Sequence, residues 1–595
     1  MLTPEGMVKI RILGSKSQMK KVINELYGLK LLHLTEFRPA ENFDIGKPFK
    51  EADLYSKHLV KLRSMVSFLK IGGEGKKIPA KANLKKLQKI ERVFEKMSAG
   101  LEKLNERKAK LGQIILNPIS RIATESDKIE QAKSLKTFIG VAGKGFIDEL
   151  ERSGLSYDLM KEIVGNKAAV ILTVPTKSAK SAADMLVKYS FEERHLPETR
   201  YEEAIAELEQ VDKKILQIKA EFGQFRKYNE SLILNMEHSF TELIEKTEAP
   251  LSFVTSKRTF AAEGWVPKDT YEALEKRISN AASDKVNIEV LETEEAPPVK
   301  LDNPKVAQPF EELLKMYSYP KNYEFDPTII LLFTFSLFFG FMLGDIGYGL
   351  VLLSLSAFLF FKLKGALKSI AYIAMFSSVS AIIFGIVFGE FFGLEIIRPV
   401  IHRAEEIQTM IIVSIIFGLV HISAGLILGF ITKYKEHGLP HAIFEKGSWL
   451  LIEFAAAALT LGILMKFQAL TYSGAALMVA GILMLLKGEG IKGIAELPGL
   501  LSNILSYMRL FAIGLASVSL AVVVNELGVK MLESGGIWFV PAIFVFLIGH
   551  TVNIILGISG PFLQSLRLHY FEFFAKFLEG GGRQYFPFGK IKKWR

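Results

Sequence analysis

One arginine, Arg509, stands in the apolar run Leu505-Ser506-Tyr507-Met508-Arg509-Leu510-Phe511-Ala512 and is the only charged side chain between Leu497 and Val524. The run has the length and composition of a membrane-spanning helix. An arginine at the centre of a bilayer costs about 2.5–3.5 kcal/mol on insertion scales. Its neighbours one helical turn away, Leu505, Ser506, Ala512 and Ile513, include no carboxylate. The compensating charge must therefore come from another helix or another chain, and such a charge marks an ion path or a counter-ion. A second arginine, Arg567, lies in SLRLHYFEFFAKF at 565–577, where snorkelling to the interface is the competing reading. Polar side chains able to line water accompany both: Glu496, Ser506, Tyr507 and Ser517 around the first, and His550, Asn553, Gln564, His569 and Glu572 around the second. His421 and Glu453 lie in earlier apolar runs. Taken singly, each is first a helix-packing hydrogen-bond group and only second a proton site. The histidines are scattered without ligand spacing, so no metal site is expected.

These side chains sit in a chain of two solvents. Of the 595 residues 49% are hydrophobic, yet 23% are charged. The charges concentrate in residues 1–320, which read as a cytoplasmic domain, whereas 321–595 are dominated by long apolar runs and read as a membrane domain. A net charge of +11 suits an anionic inner leaflet, and no nucleic-acid-binding motif accompanies it. Cysteine is absent, which excludes disulfides, thiolate metal sites and cysteine nucleophiles. No G-x-x-x-x-G-K-[ST] phosphate loop occurs, so neither nucleotide hydrolysis nor a cofactor is expected of this chain. The opening residues, MLTPEG, lack an apolar signal region, and the first strand is expected in the cytoplasm.

The soluble half reads as α+β. Alternation at 7–14, a helix at 17–27 and a strand at 29–37 predict a β-α-β start. A second set follows at 137–141, 146–151 and 168–174, and a third at 259–266, 270–278 and 286–291. Between them run heptads. Leu87, Ile90, Phe94, Met97, Leu101, Leu104, Leu111 and Ile115 keep one seam, with Lys108 its charged exception. Leu208, Val211, Ile215, Ile218, Phe222, Phe225, Leu232 and Met236 keep another, interrupted by Asn229. The expectation is two small α/β lobes joined by a long antiparallel coiled coil, with the first seam spanning about 45 Å. Residues 296–327, rich in proline and charge, read as the connection to the membrane.

Eight spans are expected, near 328–344, 346–361, 366–392, 408–431, 447–465, 470–486, 496–525 and 537–577. With the soluble half inside, lysines at 362–368, 433–446, 487–492 and 590–593 fall on inward loops, while outward loops hold only Arg398, Arg403, Lys466 and Lys530. That bias predicts a multi-pass protein of the cell membrane with both termini cytoplasmic. The last span is too long to cross upright, so it must tilt, break at Gly560-Pro561 or continue beyond the bilayer.

GFMLGDIGYG at 340–349, FGLVH at 417–421, LSYMRLFAIGLA at 505–516, the segment 565–577 and YFPF at 585–588 together resemble the membrane stator subunit, subunit a or I, of rotary V/A-type ATPases. The resemblance covers essentially the whole chain. It implies that Arg509 and Arg567 match the family's two membrane arginines. It also implies a proteolipid ring whose membrane carboxylates pass these arginines, loaded and unloaded through two offset half-channels. Peripheral stalks, a central-stalk cap subunit and the ATPase head are the further partners implied, beside the lipid bilayer. The chain departs from many eukaryotic members at Ser517, where they carry histidine, and at Gly557, where they carry an acid. A secondary transporter with a cytoplasmic regulatory domain is the alternative; it predicts internal repeats, and none stands out among the spans.

Overall fold

The structure, a computed structural model, describes residues 3–35, 44–73, 75–123, 134–195, 200–283 and 285–590. The chain packs as two units, one formed by the described parts of Met1–Gly46 and Ser252–Lys590, the other by Lys47–Leu251.

In the first unit strand Met7–Ser15 is flanked on both sides, by Val286–Leu291 and by Thr259–Pro267, each antiparallel. His33–Leu34 and Val254–Thr255 also pair with Thr259–Pro267, and Asp44–Ile45 pairs with Val254–Thr255. Ile10 and Ile12 point inward at the strand period and are buried, as are Val22, Ile23 and Leu26 of helix Met19–Leu29 and Leu274 and Ile278 of Tyr271–Ala281. The first and third β-α-β sets of the sequence are thus halves of one sheet. The expected strand at 29–37 shrinks to His33–Leu34, and its last two residues lie outside the described ones. Lys30 ends the preceding helix in the left-handed region, at φ 55°. The Leu31 and Leu32 carbonyls then accept from the Tyr585 hydroxyl and the Phe588 N–H, not from a strand.

In the second unit an antiparallel sheet runs in the order Asp158–Val164, Lys167–Pro175, Leu135–Gly143, Glu192–Glu193. The edge strand Asp158–Val164 has no clean alternation, and the sequence pattern misses it. Helices Ala80–Leu116 and Tyr201–Glu248 pack antiparallel, since Lys77 pairs with Glu242, Phe94 meets Phe222, and Arg107 pairs with Glu207. Their seams are the heptad residues: Leu87, Phe94, Leu111, Val211, Ile215, Phe222 and Met236 are buried. Lys108, the seam's charged exception, pairs with Asp212 at 2.7 Å. Asn229 turns its amide back to the Phe225 carbonyl. Helix Ala52–Phe68 joins the lower part of the pair, where His58 and Glu91 form a buried 2.7 Å contact.

The apolar half is helical: α1 (Thr328–Leu343), α2 (Ile346–Lys362), α3 (Ala366–Phe388), α4 (Ile407–His437), α5 (Ser448–Leu464), α6 (Gln468–Leu505, two helical segments that meet in a kink at Gly490, φ 67°), α7 (Met508–Glu533) and α8 (Phe539–Arg567). Among the described residues five helical stretches are long and apolar enough to cross a membrane; α1 and α2 are shorter. One of the five, Gln468–Glu533, contains both α6 and α7. Asp345 divides α1 from α2 by capping the Tyr348 N–H at 2.9 Å, after Gly344 closes α1 at φ 39°.

One expectation fails here, and another is narrowed from three courses to two. The span expected at 496–525 is not one helix, because α-helical bonding lapses at Ser506-Tyr507, where Arg509 and Leu510 N–H donate only three residues back. Arg509 therefore sits in the first turn of α7. The long last helix does not break at Gly560-Pro561 but runs through to Arg567, giving way to a π-helical turn, Leu568–Phe573. Proline removes one backbone donor, and neighbouring helices tolerate that loss in an apolar bundle. The connecting segment before α1 is packed as well. Asp326 accepts from Thr328 N–H and hydroxyl and from Asn303, and Glu324 is fully buried.

Candidate functional site

The segment 506–509 and the turn after α8 face each other. Arg509 Nη1 lies 3.6 Å from Glu572 Oε1, the acid 5% exposed and the arginine side chain 30%. Glu572 is thus the countercharge that Arg509 lacks on its own helix. Residues five apart point about 140° apart in an α-helix; the i→i+5 turn swings Glu572 back toward the Arg567 side. Arg567, exposed at the end of α8, is near enough for its charge to act on the same carboxylate, and Ser506 lies beside it. Ser506, Arg509, Arg567 and Glu572 thereby converge.

Behind them, Tyr507 is fully buried, and its hydroxyl contacts His421 Nδ1 at 2.7 Å. His421 comes from α4 and stacks on Phe573, with ring centroids 4.0 Å apart. The His569 ring follows at 4.8 Å. His569 Nδ1 donates to the Ser565 carbonyl at 2.6 Å, and its Nε2 meets the Thr334 hydroxyl at 2.7 Å, a hydroxyl that also reaches the Ile330 carbonyl at 2.8 Å. Glu453 of α5 is 2% exposed, with Ser423 beside it. Among the described residues, His421 Nε2, both Glu453 oxygens, Glu572 Oε2 and Arg509 Nη1 are buried without a well-formed hydrogen bond. Buried polar groups are normally paired, so several unpaired atoms around Tyr507 suit water or a passing ion.

A second polar group lies further along α7. Ser517 donates to Asn553 Oδ1 at 3.3 Å, and Asn553 Nδ2 donates to the Tyr348 hydroxyl at 2.9 Å. Tyr348 meets His550 Nδ1 at 2.8 Å, and His550 Nε2 meets Asn525 Oδ1 at 3.1 Å. Asn525 Oδ1 can only accept, which makes Nε2 the protonated nitrogen of a neutral His550 and leaves Nδ1 to accept from Tyr348.

The twelve sequence candidates other than Glu496 divide between these groups and their borders. Gln564, half-buried on α8, has an Oε1 without a partner among the described residues. Glu496 stands at the border; it is exposed and lies 3.8 Å from Lys492 on its own helix, and its charge reaches Lys576, which also feels Glu453 and Glu572. Sequence reasoning missed Thr334, Tyr348 and the pair Glu390–Arg403. Tyr348 lies within the 340–349 motif, which was a usable signal. Arg403 reads as an ordinary loop charge, yet it is 2% exposed and donates to the Gly344 carbonyl at 3.0 Å. Ser517 and Gly557, the two departures noted above, are neighbours: a Cβ on Gly557 would stand 3.6 Å from Ser517 Oγ.

Residues 144–397 and 489–589 match the V-type ATPase 116kDa subunit family. The chain is 30% identical to the A-type ATP synthase subunit I of Archaeoglobus fulgidus over 681 aligned positions, covering all of both chains. It is 26% identical to that of Halobacterium salinarum, covering 100% of this chain and 99% of the relative. With that of Pyrococcus abyssi it shares 32% identity over 80% of this chain and 77% of the relative. The crystal structure of the cytoplasmic N-terminal domain of subunit I, homolog of subunit a, of V-ATPase is 14% identical and covers 48% of this chain and 100% of its own, with a TM-score of 0.30.

Proposed function

The chain belongs to the V-type ATPase 116kDa subunit family, as a multi-pass subunit I of an A/V-type ATP synthase, and we propose that it is the stator across which a rotating ring exchanges ions. Arg509 and Arg567 face the ring and hold each arriving membrane carboxylate ionised, because an adjacent opposite charge favours the charged form. The convergence of both arginines on Glu572 carries this reading, since one bare guanidinium face with a resident countercharge can exchange partners as carboxylates pass. The group around Tyr507, with His421, Glu453 and His569, lines the inward half-channel. The group from Ser517 to Asn525 lines the outward one. Fixed positive charge between them repels a passing cation and prevents a direct leak.

The cytoplasmic half holds the peripheral stalks against torque, and nucleotide chemistry belongs to the ATPase head. Eight membrane crossings, with the amino-terminal lobe and both termini inside, accommodate the loop lysines. The test is ATP-driven ion uptake by the purified complex in proteoliposomes. Arg509→Ala should assemble with ring and head and lose coupled transport; near-normal pumping by that variant would refute the stator role of the site.

A further inference from the structure

The connection between α3 and α4 holds a two-stranded hairpin, Glu390–Phe391 paired with Leu394–Glu395. Both turn residues have positive φ, 51° at Phe392 and 74° at Gly393. Glycine adopts that region freely, whereas a bulky residue there is strained by about 1–3 kcal/mol and stays only where its surroundings hold it. Here the surroundings are the polar chain between α2, α7 and α8. The Phe392 ring stands edge-on to Tyr348 at 5.0 Å and to His550 at 5.6 Å between centroids. Its carbonyl accepts from Asn525 Nδ2 at 2.8 Å, and the Gly393 N–H donates to Asp345 Oδ2 at 2.9 Å. Gly393 also touches Ala521 of α7 so closely that a Cβ there would overlap it.

The base of the hairpin is held as firmly. Glu390 is buried and ion-paired with Arg403. The Arg403 guanidinium also donates to the Gly344 carbonyl at the end of α1 and lies 4.7 Å over the Phe388 ring. A buried ion pair adds little to stability compared with apolar packing, but breaking it is costly. What this one does is fix where the hairpin stands. An arginine-clamped base and a twice-bonded tip deliver one aromatic ring onto His550 and Tyr348.

We propose that Phe392 and Gly393 form a seal over the outer end of the polar path that runs from Asn525 to Ser517, closing it to water and hydrated cations from the side opposite the amino-terminal lobe. The proposal rests on reading that path as the outward half-channel. Access to Ser517 is then governed by the hairpin tip, with Arg403 and Glu390 as positioning residues.

The chain has no cysteine, so Ser517→Cys introduces a single thiol at the inner end of the path. Its modification by a membrane-impermeant cationic methanethiosulfonate is measured in the assembled complex in sealed vesicles of each orientation. With the hairpin intact, labelling from the outer side should be slow. Adding Phe392→Ala should speed it at least ten-fold, and Phe392→Leu, which keeps apolar bulk at the tip, should leave it slow. If the alanine variant does not assemble, Asn525→Ala, which unties the tip from α7, decides the question by the same ten-fold criterion. A rate within two-fold of the parent in the deciding variant, or labelling only from the lobe side, overturns the seal. Failure of the stator reading registers separately, as persistent ATP-driven transport in Arg509→Ala with an intact labelling pattern.

Discussion

Arg509 stands 3.6 Å from Glu572 without a full hydrogen bond to it, an arrangement that leaves the guanidinium available to another carboxylate. Arg509→Ala should abolish ATP-driven ion transport, a loss of more than ten-fold at unchanged subunit stoichiometry. Arg509→Lys should fail nearly as badly, because a compact ammonium cannot reproduce the planar fork. Arg567 is exposed and its charge acts on the same carboxylate, so Arg567→Ala should cut transport strongly yet less completely, leaving a measurable residual rate. A cysteine at 567 that labels freely from the bulk and never crosslinks to the ring would reduce Arg567 to an interfacial anchor. The need for a partner to Arg509 was legible in its own helix, where no acid lies one turn away. Its identity was not, because Glu572 is 63 positions distant and its direction depends on a π-helical turn that the apolar pattern does not encode.

At the scale of elements, the coiled coil is where periodicity and packing agree best. Phe68, Phe94 and Phe222 meet with centroids 4.9–5.8 Å apart, at the level where three helices join. Phe222→Asp would bury a carboxylate without a partner there, at a cost of about 3 kcal/mol or more. Limited proteolysis of the intact complex should then cut within 80–116 and 201–248 several-fold faster, with the membrane helices still inserted. Unchanged cleavage and unchanged head attachment would show that the pairing of these helices bears no load. The membrane elements were harder to bound from sequence. A run such as 496–525 is apolar throughout, so hydropathy cannot register the lapse at Ser506-Tyr507, which arises where Tyr507 turns inward to His421.

At the scale of the molecule, the last described residues return to the first strands. Val299 N–H donates to the Arg583 carbonyl at 2.7 Å, Tyr585 stacks on His33, and Phe588 packs edge-on against Tyr27. Glu324, at 0% exposure, accepts the N–H groups of Glu579 and Gly580 and so anchors the start of this return. The hydrogen bond from Lys321 holds the Glu579 carboxyl below its usual range, and the same bond raises Lys321. Both groups are substantially exposed, so that ion pair contributes little by itself. The tail thereby ties the helix that carries Arg567 to the amino-terminal sheet. Truncation after Gly582 should leave the membrane helices inserted while trypsin reaches Lys16, Lys20, Lys21 and Lys30 several-fold faster. An unaltered tryptic pattern would mean that the tail only rests on the sheet.

Local chemistry determined much of this protein in advance. Segregated charge separated a charge-rich half from an apolar one, heptads marked the long helices, and an isolated arginine in an apolar run marked the candidate site. Each follows from short-range regularities, the 3.5-residue seam and the cost of burying charge. The tertiary structure decided which distant residues meet. Strand Met7–Ser15 lies between Thr259–Pro267 and Val286–Leu291, far along the chain, and no local pattern encodes that pairing. Arg403 looked like a loop charge and proved to be buried, because its partners Glu390 and the α1 carbonyls are supplied by the folded chain. Tyr348 and His550 form one polar path only once α2 and α8 pack against α7. Sequence position reports the composition of each helix, while burial and hydrogen bonding depend on what the other helices bring to it.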